Sequence, residues 1–213
     1  MREETRSQEE PRSAEQVNRR RRGCILKLLA FWFGLLGLII WTMYFVRSRA
    51  DRDPENVLRH AAELVDLQLE EGFYPYSSNY FLGVRLISFW NEQHLSDEGY
   101  TTSVIAVYRD DKWRNLSLEE VRNQVLPKLE TKLDRVEFRV REQAEERLSN
   151  EGETAVIHRF SGIQLLGEEY LEATTCYRFM MSSQGPIQVH TMGLERNFPA
   201  ARQMAILAAV KPR

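Results

Sequence analysis

"SLEEVRNQVLPKLETKLDRVEFRVR", Ser117 to Arg141, changes its hydrophobic period part-way along. Leu118, Val121, Val125, Leu129 and Leu133 recur three and four residues apart, the stripe of one helix face. From Val136 the period is two: Val136, Phe138 and Val140 alternate with Glu137, Arg139 and Arg141, as in a half-exposed strand. Ser117 and Glu120 open the helix as a capping box, each side chain satisfying the other's free backbone N–H. Pro127 lacks an N–H and is expected to kink or interrupt that helix.

Working outward, further strands and helices can be read. Downstream, Thr154–Gly162, Tyr170–Met181 and Ile187–Met192 read as strands. The turn Gln184-Gly185-Pro186 joins the last two, and Pro199 opens a final helix through Val210. Upstream, Val84–Trp90 and Thr102–Tyr108 read as a hairpin, apolar on both faces and therefore central. Before them Asp53 caps a helix with Pro54 in its first position, and Val57, Leu58, Ala61, Leu64 and Val65 line it. Helix, strands, helix, four strands, helix is α+β: a mainly antiparallel sheet with packed helices, here preceded by one transmembrane helix.

That transmembrane helix is expected at 24–46. No charged residue falls between Leu28 and Val46, and a span needs roughly 20 apolar residues. Trp32, Trp41 and Tyr44 are interface-type residues. Arg19, Arg20, Arg21 and Arg22 precede the run with Lys27, while Arg47, Arg49 and Arg52 follow it. The excess on the N-terminal side makes these arginines the topology signal for a single-pass cell-membrane protein, N-terminus cytoplasmic and C-terminal domain extracytoplasmic. Ser48-Arg49-Ala50 has the spacing of a cleavage site, but the apolar core is longer than that of a cleaved signal, so an uncleaved signal-anchor is expected. The segments are then a disordered cytoplasmic tail 1–23, the span 24–46, a linker 47–53 and an extracytoplasmic domain 54–213. The lipid bilayer is the first partner.

Residues 1–27 carry eight basic and five acidic side chains, which leaves 21 basic and 26 acidic for the rest, a net charge of −5. An acidic domain without a basic run is no nucleic-acid binder. Cys176 is its one cysteine, so it holds no internal disulfide.

Chemical motifs are sparse. His60, His94, His158 and His190 form no metal-ligand spacing, so neither metal nor cofactor is expected. No phosphate-binding or nucleophile-elbow motif occurs. His158 and Cys176 fall on consecutive strands that could pair, the minimum of thiol catalysis. Against that, a buried cysteine is usually a small hydrophobe, and no third residue orients the histidine. "GFYPYSSNYF" is different: Phe73, Tyr74, Tyr76, Tyr80 and Phe81 crowd a predicted loop. Such a loop either folds onto the sheet as core or offers a contact surface.

"LEEGFYP" after an amphipathic helix, "FLG" leading into a strand, a capped helix, and strand pairs ending in "GP" before a terminal helix resemble a group of bacterial single-pass membrane proteins of unknown function. Their domain is similar to the photosystem II extrinsic-subunit sandwich. The resemblance spans Pro54 to Lys211 and rests on turn-formers: Gly72, Pro75, Gly83 and Gly185-Pro186. It implies a non-catalytic binding or assembly role and supplies no catalytic residue. The expectation is a membrane-anchored binding or scaffolding domain of the cell envelope, with another envelope protein as partner. A tethered hydrolase using the Cys/His pair and an envelope chaperone or adaptor are the alternatives.

Overall fold

A computed structural model describes residues 31–39, 41–42, 50–95, 101–134, 136–150 and 153–213. The chain divides into two compact units, Met1–Ser48 and Arg49–Arg213. In the first, residues 31–39 and 41–42 are helical, and Phe31, Trp32, Phe33, Leu36, Leu38 and Trp41 are exposed. The tail with Arg19 to Arg22, most of the expected span and residues 47–49 lie outside the described residues. Among the described residues no helix is long and apolar enough to cross a membrane.

The second unit is α+β. Its helices are α1 (Pro54–Ala62), α2 (Leu118–Asp134) and α3 (Ala200–Ala209). Its strands are β1 (Val65–Asp66), β2 (Phe73–Phe81), β3 (Val84–Asn91), β4 (Ser103–Asp110), β5 (Phe138–Asn150), β6 (Glu153–Leu166), β7 (Glu169–Ser182), β8 (Gly185–Leu194) and β9 (Lys211–Pro212). Seven strands form one sheet in the order β2-β3-β4-β8-β7-β6-β5, every neighbour antiparallel. The order is two meanders, β2–β4 and β5–β8, joined along β4–β8. β1 and β9 make a separate short pair.

Local signals explain the helix starts. Asp53 accepts from the Glu55 N–H ahead of Pro54. Ser117 N–H donates to the Glu120 carboxylate at 2.7 Å, and Glu120 N–H to the Ser117 hydroxyl at 3.2 Å, the predicted capping box. Pro127 does not interrupt α2. The carbonyl it leaves without a helical partner belongs to Asn123, on the solvent side, where water can satisfy it.

α1 and α3 cover one face of the sheet. Val57, Leu64, Ile87, Phe89, Ile105, Val107, Ile157, Cys176, Val189, Phe198 and Leu207 form the core there. α2 packs chiefly on β5 and β7 of the other face, its Val121, Val125, Leu129 and Leu133 stripe meeting Phe138, Phe160, Tyr177 and Phe179. The Asp111–Trp113 turn extends that cover to Tyr108, whose ring lies 5.2 Å from Trp113. β5 starts at Phe138, one step later than the alternation suggests, because Val136 is in a turn and exposed. A bulge between Val140 and Glu142 then switches its faces. Gly162 lies opposite, where a Cβ would stand 2.1 Å from the Arg139 carbonyl oxygen. No side chain fits beside that bulge.

Candidate functional site

The aromatic segment is a strand, not a loop. Phe73–Phe81 is β2, at the edge of the sheet, and its Pro75 is tolerated because edge strands need fewer ladder donors. Register shifts between Pro75 and Ser77, so Tyr76 is the extra residue of a bulge. The bulge divides the five aromatics. Phe73 pairs with Asn91 and turns into the α1/α3 core, its ring 5.1 Å from Phe198. Tyr74 and Tyr76 point to the α2 side. Tyr80 is returned to the α1/α3 side beside Arg85, and Phe81, half-buried, lies on the Tyr74 side.

Tyr80 is not a free contact residue. Its hydroxyl donates to the Asp111 carboxylate at 2.6 Å, and Arg109 binds the other oxygen at 2.6 Å. The hydrogen bond raises the Tyr80 phenol and holds the Asp111 carboxyl below the usual range. Arg85 lies over the Tyr80 ring and pairs with Glu63 at 2.6 Å.

Tyr74 and Tyr76 form the exposed part. Tyr74 is 51% exposed and lies directly across from Trp90. Tyr76 stacks on Trp90, centroids 3.6 Å apart and planes 7° from parallel, and the Arg52 guanidinium covers its other side at 5.9 Å. Leu86 is exposed on the same face. Beneath them Ser77 and Ser88 exchange a hydroxyl hydrogen bond at 3.0 Å. Among the described residues no helix packs on this β2–β3 part of the face. Trp90 and Leu86, which complete the patch, read in the sequence only as strand residues. Their strict alternation with Ile87 and Phe89 was the available signal.

The Cys/His pair is not assembled. His158 pairs with Tyr177, and Cys176 with Arg159, so the thiol and the imidazole emerge on opposite faces. Cys176 lies fully buried in the α1/α3 core, and burial pushes its thiol up to about 12. His158 lies under α2, 4% exposed, edge-on to Phe179 at 6.0 Å. Among the described residues its Nε2 has no hydrogen-bond partner, and neither has the buried Nε of Arg122. Burial and the Arg122 charge hold its pKa down, while Glu145 opposes them. His190 stacks on the other side of Tyr177 at 5.3 Å, and burial lowers it to about 4. His60 and His94 are hydrogen-bonded to Ser78 and Ser103.

A polar cleft of about 220 Å³ lies across the bulge of β5, lined by Glu142, Ser161, Thr174 and Glu195 among others. Its acids are engaged: Glu142 pairs with Arg159, and Glu195 accepts from Thr174 and from the Ala200 N–H. Glu195 thereby caps α3, a task the preceding Pro199 side chain cannot perform.

No family model matches the chain, and no curated protein matches it. Among solved structures it matches the crystal structure of LpqN, involved in cell envelope biogenesis of Mycobacterium tuberculosis. Identity is 9%, the TM-score is 0.36, and the match covers 70% of this chain and 82% of that one. A likeness of this degree carries no functional argument.

Proposed function

We propose that this protein is a single-pass membrane-anchored binding module of the cell envelope, with its α+β domain outside the cytoplasm and the β2–β3 aromatic face engaging another envelope protein. The face of Tyr74, Tyr76, Trp90 and Leu86 carries the reading. It presents large apolar and amphipathic groups, two of them more than a third exposed tyrosines, where no helix among the described residues covers the sheet. Tyrosine and tryptophan are the side chains that most often dominate protein interfaces. Tyr76 is also held in place by Trp90 and Arg52, so little side-chain entropy remains to be lost on binding. The reading is non-catalytic because Cys176 and His158 stand on opposite faces.

Support for the anchor comes from the apolar run and its flanking arginines. The helical residues 31–39 expose aromatic and aliphatic side chains, which suits a lipid environment. The Thr42 hydroxyl donates to the Leu38 carbonyl at 2.7 Å, so its one polar group is satisfied within the helix.

Photo-crosslinking in native membranes tests the interface. A benzophenone side chain at Tyr74 of the full chain should yield a discrete crosslinked protein, and the Trp90→Ala change should abolish it without lowering the melting temperature sharply. A benzophenone at Gln143, on the far edge strand, should give none. Equal crosslinking from both positions would reject the aromatic face as the interface.

A further inference from the structure

We infer that the β2–β3 turn, led by Leu82, rests in the lipid interface of the membrane to which the chain is anchored. The inference rests on the anchor reading proposed above and adds a second membrane contact made by the folded domain itself.

The first observation is a conflict between residue and conformation. Leu82 and Gly83 form the two-residue turn between the paired Phe81 and Val84, with φ of +50° and +83°. Such turns favour asparagine or aspartate followed by glycine, because both central residues are left-handed. Leucine is disfavoured there. Packing does not explain its presence, since Leu82 is 82% exposed, the most exposed large hydrophobic side chain among the described residues. An apolar side chain held outward at an unfavourable φ points to an apolar environment beyond the domain.

The second observation is the course of the chain. Asp51 pairs antiparallel with Ser78 through both backbone hydrogen bonds, at 2.9 and 2.8 Å. Arg52 then lies over Tyr76, and Asp53 caps α1. The lead-in therefore runs against β2, with Ala50 on the Leu82 side of Asp51. From Asp51 back to Val46, the end of the apolar run, is five residues, at most about 18 Å of extended chain. From Ser78 to Leu82 is four strand residues, about 13 Å. Chain length alone thus keeps the turn within reach of the surface at which the apolar run would leave the bilayer.

The surroundings fit a headgroup layer. Tyr80 and Phe81 adjoin the turn, and Tyr80 is the amphipathic type found at membrane interfaces. The Asp111–Trp113 turn abuts it, with the Asp111 N–H bonded to the Gly83 carbonyl at 2.8 Å, and carries exposed Lys112, followed by exposed Arg114. Of the nearby acids, Asp111 is neutralised by Arg109. Asp110 bonds the Lys112 N–H.

The test uses the full chain in phosphatidylcholine–phosphatidylglycerol vesicles. In a Cys24→Ser background, with Cys176 buried, an environment-sensitive dye is attached at Leu82→Cys or at Gln143→Cys. Nitroxide-bearing lipids serve as quencher. The Leu82 dye should shift to the blue and lose most of its emission, and the Gln143 dye should do neither. A second pair separates lipid contact from folding. A dye at Lys112→Cys should be quenched with Leu82 present and lose most of that quenching with Leu82→Asn. Leu82→Asn should leave the melting temperature unchanged or higher, because asparagine suits the turn. Flotation after alkaline wash reports the anchor separately. Chains that float while the Leu82 dye stays unquenched overturn this inference alone. Chains that fail to float overturn the anchor reading and this inference with it. A Leu82 dye that shifts without lipid quenching assigns the turn to a protein contact and also overturns it.

Discussion

Arg178, on β7, reaches across the core and places its Nη1 2.6 Å from the carbonyl oxygen of Leu207 at the end of α3. The same nitrogen lies 3.2 Å from the Ala208 carbonyl and 2.7 Å from that of Val210. The last carbonyls of a helix lack partners and carry its negative end, and a guanidinium answers both needs. A 7% exposed cation is thereby the C-terminal cap of α3.

Arg178→Met keeps the bulk of the side chain and removes the cap. The expected loss is about 1.5–3 kcal/mol, the range for hydrogen bonds to a charged group. Urea denaturation of the domain should show a lower midpoint with an unchanged slope.

Ser117→Ala removes half of the capping box at α2. About 1 kcal/mol of stability should be lost, the usual figure for an N-cap. Amide exchange in the first turn of α2 should accelerate more than in the rest of the helix.

Acid should destabilise the domain through His158 and His190. Burial holds both below the ordinary histidine range in the folded state, His190 at about 4, whereas in the unfolded chain each takes up its proton near 6.5. The unfolded state therefore binds more protons below that pH. The stability they contribute is complete above about pH 6.5 and is lost as pH falls toward the folded values. Urea midpoints at about pH 7.5 and about pH 5 should differ, and His158→Gln with His190→Gln should shrink the difference.

Cys176 should be silent toward thiol reagents in the native protein. A thiol pushed up to about 12 and fully buried offers almost no thiolate. Labelling by iodoacetamide should follow global unfolding, and Cys176→Ser should leave partner crosslinking through Tyr74 intact.

Local signals carried most of the fold into the sequence. The Ser117–Glu120 box, the Asp53-Pro54 start and the apolar, β-branched runs of β3, β4 and β6–β8 each depend on neighbours a few residues away, and each appears where its pattern stands. The candidate site was less legible because it depends on register. One bulged residue, Tyr76, sends Tyr80 to the other face from Tyr74, and spacing alone cannot announce it. Ser77, Ser78 and Asn79 gave β2 the composition of a loop. His158 and Cys176 lie on adjacent strands as expected, yet a one-residue offset in pairing parts them. Gln203 lies in the final helix and drew no reading from the sequence. It is 0% exposed, with its amide satisfied by Phe198 and by Thr174 and Thr191 of β7 and β8, partners that helical spacing does not reveal.

The joint between the two meanders also governs how the chain can reach this structure. Within each meander neighbouring strands are neighbours in sequence. The β4–β8 ladder instead pairs residues between 80 (Tyr108 with Gln188) and 90 (Ser103 with Gly193) positions apart. Loop closure of that length is entropically dear and slow, so the hairpins form first and the ladder last. Until it forms, Ile105 and Val107 on one side and Val189 on the other present unpaired, apolar strand edges, whereas in the finished sheet these strands are interior and the edges are β2, with the lead-in bridged to it at Ser78, and the charge-rich β5. The time spent before β4 meets β8 is therefore when this chain is most exposed to pairing with a copy of itself.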